Sequence, residues 1–340
     1  MGAANTVALS AGHAQGSSMT LKCAMNDYVV MLSRLVPRMR PFLAALVAVA
    51  ITTQGRGASA QALEPRSYVN TPVGINFVLV GYGYRRGGVG LDESSTVQDI
   101  KVGVHAGLLS YARSLDVWGL SGKIVGVLPV AEASGTATVV GQRQTRHVFG
   151  LGDPLLRVSV NVYGASALSV KQFPSYRQDV IVGVGLGVSA PLGQYDSTKL
   201  LNVGTNRWAV RPELGVSKAC DRFTLELISA IMLFTTNDDL LGGKTLDQAP
   251  IYSLQGHLIY ESSSVFWAAL DTTYYAGGRT TVDGEPGPAP GNARLGLTTA
   301  LSLSSYQSIK LTGSIGVYHR TANDFRAVGI AWQYRWGEGL

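Results

Sequence analysis

The sequence predicts an all-β fold, a single transmembrane antiparallel β-barrel of outer-membrane type with about twelve strands. Three observations predict it. The chain carries a segment shaped like a bacterial export signal. Beyond that segment, aliphatic residues alternate at period two with Gly, Ser and Thr. And although 46% of the 340 residues are hydrophobic and only 15% charged, no segment after the signal reaches 18 consecutive apolar residues. An apolar, exported chain without membrane helices can satisfy its backbone groups in lipid only as a closed barrel. Gly, at 41 residues, is well above the ordinary share of about 7%.

Two regions are expected: a precursor at 1–60 and the barrel at 61–340. Met31 reads as the start. Arg34, Arg38 and Arg40 form the basic region, Phe42 to Ile51 the apolar core, and Ala58-Ser59-Ala60 a small-x-small cleavage site. That core is far shorter than the roughly 20 residues of a membrane-spanning helix. Removing 1–60 takes away Lys22, Arg34, Arg38, Arg40 and Arg56 against Asp27, leaving a net charge of +2 instead of +6. The basic balance is therefore largely a precursor property and gives no reason to expect a nucleic-acid partner. Cys220 alone survives cleavage, so no intramolecular disulfide is expected.

Twelve strands are expected near 71–84, 99–114, 122–135, 152–163, 179–192, 206–219, 223–236, 250–261, 265–276, 292–303, 307–319 and 325–336. Leu156, Val158, Val160 and Val162 alternate with Arg157, Ser159, Asn161 and Tyr163. Val180, Val182, Val184, Leu186 and Val188 alternate with Ile181, Gly183, Gly185, Gly187 and Ser189. In the last strand Val328, Ile330, Trp332, Tyr334 and Trp336 oppose Ala327, Gly329, Ala331, Gln333 and Arg335. Near-pure aliphatic faces suit lipid, and small polar faces suit a lumen. The links alternate long and short, with 164–178 the exception, and an even strand count puts both termini on the periplasmic side. Residues 61–70 are compatible with a short lumen plug or with a periplasmic tail. Aromatics cluster near strand ends, as an interfacial belt requires.

Alternation puts Lys101, His105, Arg113, Arg157, Arg207, Arg211, Arg294, Lys310 and Arg335 in the lumen, with Glu132, Asp153, Glu213, Glu226, Glu261 and Asp271. Tyr163, Trp267 and Tyr275 would also face inward. Such charges either select the solute that passes or pair across strands and fill the barrel. Glu226 with Arg211 or Arg207 is one expected pair. The mature histidines, His105, His147, His257 and His319, have no metal-ligand spacing, so neither a metal nor another cofactor is expected. No Gly-x-Ser-x-Gly elbow occurs, and the chain is read as a non-enzyme. Asp153 with His147, or Asp271 with His257, would be the neighbours to consider for hydrolysis.

Pro191-Leu192-Gly193-Gln194-Tyr195-Asp196, followed by Asn202-Val203-Gly204-Thr205-Asn206-Arg207-Trp208 and Pro212-Glu213-Leu214-Gly215, resembles the outer-membrane family linked to the meta-cleavage pathway of phenol degradation. Gly150-Leu151-Gly152-Asp153-Pro154 and the closing Trp332-Gln333-Tyr334-Arg335-Trp336 fit the same family. The resemblance spans roughly 65–340 and implies a barrel that transports aromatic compounds. Asn202, Gly204, Asn206 and Trp208 form its most specific segment, in an outer loop. The expected function is passive uptake of small aromatic, hydrophobic or anionic solutes through a barrel partnered by outer-membrane lipid. A non-conducting structural or partner-binding barrel is the alternative, and an outer-membrane hydrolase the third reading. Oligomeric state is left open.

Overall fold

The computed structural model describes residues 64–89, 97–139, 142–199, 201–287, 290–319 and 325–340. The expected start at Met31, the export signal and cleavage after Ala60 lie outside the described residues. The strands are, in chain order, β1 (Asn76–Val89), β2 (Val97–Val117), β3 (Leu120–Val139), β4 (Gln142–Leu151), β5 (Leu155–Tyr163) and β6 (Val180–Ser189). They continue with β7 (Ala209–Cys220), β8 (Phe223–Phe234), β9 (Asn237–Leu240), β10 (Lys244–Gln248), β11 (Ile251–Glu261) and β12 (Phe266–Gly277). The last are β13 (Thr280–Val282), β14 (Glu285–Pro286), β15 (Gly291–Ser302), β16 (Gln307–His319) and β17 (Phe325–Trp336).

Twelve of these strands close an antiparallel barrel in the order β1, β2, β3, β5, β6, β7, β8, β11, β12, β15, β16, β17. Closure is made by β17 against β1, from Asn76↔Trp336 to Gly87↔Phe325. The barrel has no free edge, so each spanning backbone group can find its partner in a neighbouring strand.

The strand expected at 152–163 is longer than its pattern. β4 pairs with the outer half of β3, from Val139↔Gln142 to Val130↔Leu151, and β5 resumes at Val127↔Leu155. Gly152, Asp153 and Pro154 break the ladder between them. Pro154 has no N–H to donate, and only Gly152 N–H reaches back, 2.9 Å to the Pro129 carbonyl. The outer links also contain structure that the sequence reading left as turns. β9, β10, β13 and β14 form a separate small sheet, joined across two links by Leu246↔Val282 to Gln248↔Thr280.

The two faces of the barrel differ as lipid and lumen demand. Leu156, Leu297 and Val328 are 50%, 56% and 62% exposed, whereas Ser159, Gln255 and Thr298 on the other face are almost fully covered. Near the chain termini Trp332, Tyr334 and Trp336 stack in sequence, with ring centroids 6.2 and 5.9 Å apart, and Tyr111 lies 6.3 Å from Trp336. This is one aromatic girdle. Tyr82 and Tyr84 stand near the other end of β1.

β1 begins and β17 ends at one end of the barrel, where the links are short. Trp118-Gly119, with φ of 53° and 85°, makes the two-residue turn between β2 and β3. The long link 164–179 is the exception expected from the sequence, and the fold supplies its reason. It doubles back onto the start of the chain. Ser121 N–H donates to Ala165 O, Ala167 N–H to Gly119 O, Val73 N–H to Leu168 O, and Asn70 Nδ2 to Ser166 O.

Replacing Leu297 by Arg, in the middle of β15 on the lipid face, should destabilise the barrel by about 2–4 kcal/mol. Denaturant unfolding in lipid vesicles, followed by tryptophan fluorescence, measures this; an unchanged midpoint would mean that this face does not meet lipid.

Candidate functional site: a lumen crossed by the N-terminal segment

Residues 64–75 cross the lumen before β1 begins, and inward side chains from many strands hold them. Tyr68 is the centre, at 1% exposure, packed with Ala165, Ile181 and Ile228. Its ring lies where Gly183 and Gly215 leave the wall bare; a Cβ on either would come within 2.1 or 2.2 Å of ring carbons. The Tyr68 hydroxyl donates to Glu213 Oε1 at 2.9 Å, and Asn161 Nδ2 donates to the Tyr68 carbonyl at 3.0 Å. Arg157 stacks its guanidinium 5.4 Å from the same ring while its Nε donates to Glu213 Oε1 at 2.6 Å.

Arg66 adopts a left-handed conformation, with φ of 69°. A non-glycine residue there costs about 1 kcal/mol or more, which its contacts offset. Its N–H donates to Glu226 Oε2 at 2.7 Å, its guanidinium pairs with Glu261 at 3.1 Å, and it lies 5.4 Å over Trp267. Lys123 Nζ donates to the Val69 carbonyl at 2.7 Å, and Lys310 pairs with Glu64. A cavity of about 670 Å³ remains beside the segment, bordered by Phe77, Leu79, Trp267, Lys310, Gln333 and Arg335 among others.

The expected lumen residues divide into three groups. Arg157, Arg211, Glu213, Glu226, Asp271, Arg294, Lys310 and Arg335 lie on the inner face. Arg211 Nε is 3.8 Å from Glu213 Oε2, so Glu213 gathers two arginines and Tyr68. Glu226 takes the Arg66 N–H, where a pairing with Arg211 or Arg207 was expected. Asp271 accepts from Thr298 Oγ1 at 2.6 Å and lies 2.7 Å from His257 Nδ1, which joins one of the His–Asp neighbours named above. His147 pairs with Glu132 at 2.7 Å, while Asp153 makes other contacts, so the second pair is not brought together. Arg294 reaches Ser314 Oγ at 3.1 Å, and Arg335 Nε donates to the Ser305 carbonyl at 2.7 Å.

His105 is a correction. Leu109 and Tyr111 of β2 are 50% and 44% exposed on the outside, and the odd-numbered positions share their face. Leu108, Ser110, Ala112 and Ser114 line the cavity, and Arg113 borders it as well. His105 Nδ1 therefore sits 2.6 Å from Tyr82 Oη on the outer face, while Arg113 is exposed at the rim of the cavity. The cause is a parity error: β2 has aliphatic residues on both faces, and a slip of one residue exchanges them. The Lys101 side chain lies outside the described residues. Glu132 is likewise exposed on β3, and Tyr163 is 58% exposed because a bulge between Asn161 and Tyr163 rotates it outward. Arg66, Tyr68 and Lys123 were missed. Only the pairing of two inward glycines, Gly183 with Gly215, hinted that a bulky group fills the lumen.

Outside the lumen, the Asn202-to-Trp208 segment is tied down rather than open. Asp153 accepts from Gly193 N–H at 2.9 Å and from Thr205 N–H and Oγ1 at 2.8 and 2.6 Å, fastening the β6–β7 loop to the β4–β5 break. Asn202 bridges to Asp196 on both its amide atoms, at 3.0 Å each. Gly204 lies so close to Gly193 that a Cβ would come within 2.7 Å of its backbone. Asn206, left-handed at φ 53°, donates to Asn237 Oδ1 at 2.9 Å. Arg207 is buried against Gln248 and lies 4.5 Å over Phe234, while the Trp208 ring is half exposed. The hydroxyl and N–H of Thr198 hold the Asp196 carboxyl below the usual carboxylate range.

Two variants test these contacts. Gly215→Val should expel Tyr68, raising maleimide labelling of a Ser67→Cys reporter in a Cys220→Ser background; labelling equal to the Gly215 protein would refute the packing argument. Asp153→Ala should strand three donors and loosen the outer loops at a cost of about 1–3 kcal/mol, read as faster proteolysis within 193–206.

Comparison with known proteins gives a strong structural likeness. The "COG4313 outer membrane channel from Pseudomonas putida F1" superposes with a TM-score of 0.70 at 18% identity, covering 81% of this chain and 100% of that one. Weaker matches are the transport unit of the autotransporter AIDA-I from Escherichia coli (TM-score 0.49, 8% identity, 81% and 94% covered) and the beta domain of the Bordetella autotransporter BrkA (0.47, 11%, 77% and 100%). No curated protein matches the chain. The likeness to that channel shows that this chain shares its barrel fold. Over residues 88–336 the sequence matches the family described as "Putative MetA-pathway of phenol degradation", and the chain belongs to that family.

Proposed function

We propose that this barrel admits small anionic solutes, aromatic carboxylates among them, across the outer membrane by passive diffusion, and that residues 64–75 occlude the route. One observation carries the proposal: the basic side chains on the inner face outnumber the acids available to neutralise them. Glu213 is shared by Arg157 and Arg211, Glu226 is taken by a backbone N–H, and Asp271 by His257 and Thr298. Arg294, at a hydroxyl, and Arg335, at a carbonyl, make no contact with any of these three acids. In a narrow lumen such an excess attracts anions and repels cations. The aromatic part of the reading rests on the phenol-degradation family, with Trp267 and Tyr275 as inward-facing rings.

Apart from the Tyr68 ring in its socket, the segment's anchors are hydrogen bonds and ion pairs, which can be exchanged for water when it leaves. The runner-up reading, a non-conducting barrel, draws its support from the same occlusion. Planar-bilayer conductance separates the two. The full chain should conduct weakly, and deletion of 64–73 should open an anion-selective channel. Arg294→Glu in that deletion should move the reversal potential toward cations. Silence of the deletion variant, with its barrel intact, would sink the transport reading. Uptake of labelled aromatic acids by cells with and without the protein then tests the solute class.

A further inference from the structure

The outer surface of β1, β2, β3 and β17 carries a polar feature that solute passage does not use. Arg86 and Arg326 are direct partners in the β1–β17 ladder, and both are exposed. They share the parity of Tyr82, Tyr84, Val328 and Ile330, so they belong to the lipid-side face. Like charges directly opposite in an antiparallel pair have Cβ atoms about 5 Å apart and destabilise the sheet. Among the described residues no carboxylate is paired with either arginine. Glu132, on the same face, is held by His147.

The height of this pair is informative. Asn76 pairs with Trp336 in the girdle near the termini, and Arg86 lies ten residues further along β1. At about 3.4 Å per residue and a tilt of about 40°, that is roughly 26 Å, against an apolar band of about 25 Å. The pair therefore stands at the outer-leaflet interface, one row beyond Tyr84 and His105, whose rings lie 4.6 Å apart. Beside Arg86 the ladder places Gly103, then Ser134. The missing side chain leaves a hollow: a Cβ on Gly103 would sit 3.5 Å from Ser134 Oγ and 3.6 Å from Tyr84 Oη. Two guanidinium groups thus adjoin two hydroxyls over a bare stretch of backbone, facing the headgroup layer.

We propose that Arg86 and Arg326, with Tyr84 Oη and Ser134 Oγ over Gly103, bind a phosphate of the phosphorylated glycolipid in the outer leaflet. An anion between the two arginines removes their repulsion, and each guanidinium can offer it two parallel N–H donors. Tyr82, Tyr84 and Phe149 lie below, at the level where acyl chains begin. The inference rests on the outer-membrane location and is independent of what passes through the lumen.

The test uses the full chain purified in mild detergent and titrated with bisphosphorylated lipid A, bound copies being counted by native mass spectrometry. The wild type should retain the phosphorylated lipid and bind its enzymatically dephosphorylated form much less. Arg86→Gln with Arg326→Gln should weaken retention by about tenfold or more. Gly103→Leu, which fills the hollow and keeps both charges, should weaken it as well. Arg222→Gln, in the turn at the periplasmic end, should leave it unchanged. Heat-modifiable migration on gels verifies that each barrel is folded. Equal binding of the two lipid forms by the wild type, or undiminished binding by the folded double variant, would overturn the proposal.

Discussion

A backbone N–H in hydrocarbon has no water to turn to, and an unpaired one costs several kcal/mol. Every larger feature of this protein follows from meeting that demand. Pairing β17 with β1, from Asn76↔Trp336 to Gly87↔Phe325, removes the last free edges and makes the sheet a cylinder. Once closed, the cylinder has an inside and an outside, and each strand assigns alternate residues to lipid and to lumen. The Val, Ile and Leu rows, the girdles of Trp and Tyr, and the small polar residues opposite them are consequences of that division.

The lumen is then a problem of filling. Glu213 is buried on the inner face, where an isolated carboxylate would be costly to desolvate. Arg157, Arg211 and the Tyr68 hydroxyl converge on it. The space for them comes from glycine. Gly185 leaves room for Glu213 itself, while Gly183 and Gly215 leave room for the Tyr68 ring. The same inward glycines that let strands curve thus shape a socket, and the socket takes the start of the chain. The long link 164–179 closes around that segment from one end of the barrel, as its hydrogen bonds to Gly119, Ser121 and Val73 show. Occlusion and basic lining are two outcomes of one arrangement: the segment engages Glu226 and Glu261, and the arginines beyond it keep their excess charge.

Much of the architecture was readable in advance because lipid imposes an unusually strict pattern. β6, β7, β16 and β17 each have one aliphatic face and one small or polar face, and their parity follows directly, as does that of β5 up to the bulge before Tyr163. β2 does not, since Leu108 and Leu109 are adjacent and Gly103, Val104 and Ala106 mix sizes on both sides. Parity there is decided by neighbours, and His105 turned outward. The break at Gly152-Asp153-Pro154 hid β4 because its local signal is that of a loop. The sheet of β9, β10, β13 and β14 was hidden because its pairing joins two links more than 30 residues apart, as in Gln248↔Thr280.

What the sequence determined by itself was the barrel, its twelve spanning strands, their aliphatic lipid faces and the common end at which β1 begins and β17 ends. Those are properties of each strand taken alone, repeated around the cylinder. The tertiary structure decided where residues 64–75 go, which acid each arginine meets, and how Asp153, Asn202 and Asn206 knit the outer loops. These depend on contacts such as Tyr68 with Glu213, 145 positions apart, and on the space left by glycines in different strands. Local periodicity carries no information about such meetings; they exist only once closure has brought the strands around a common axis.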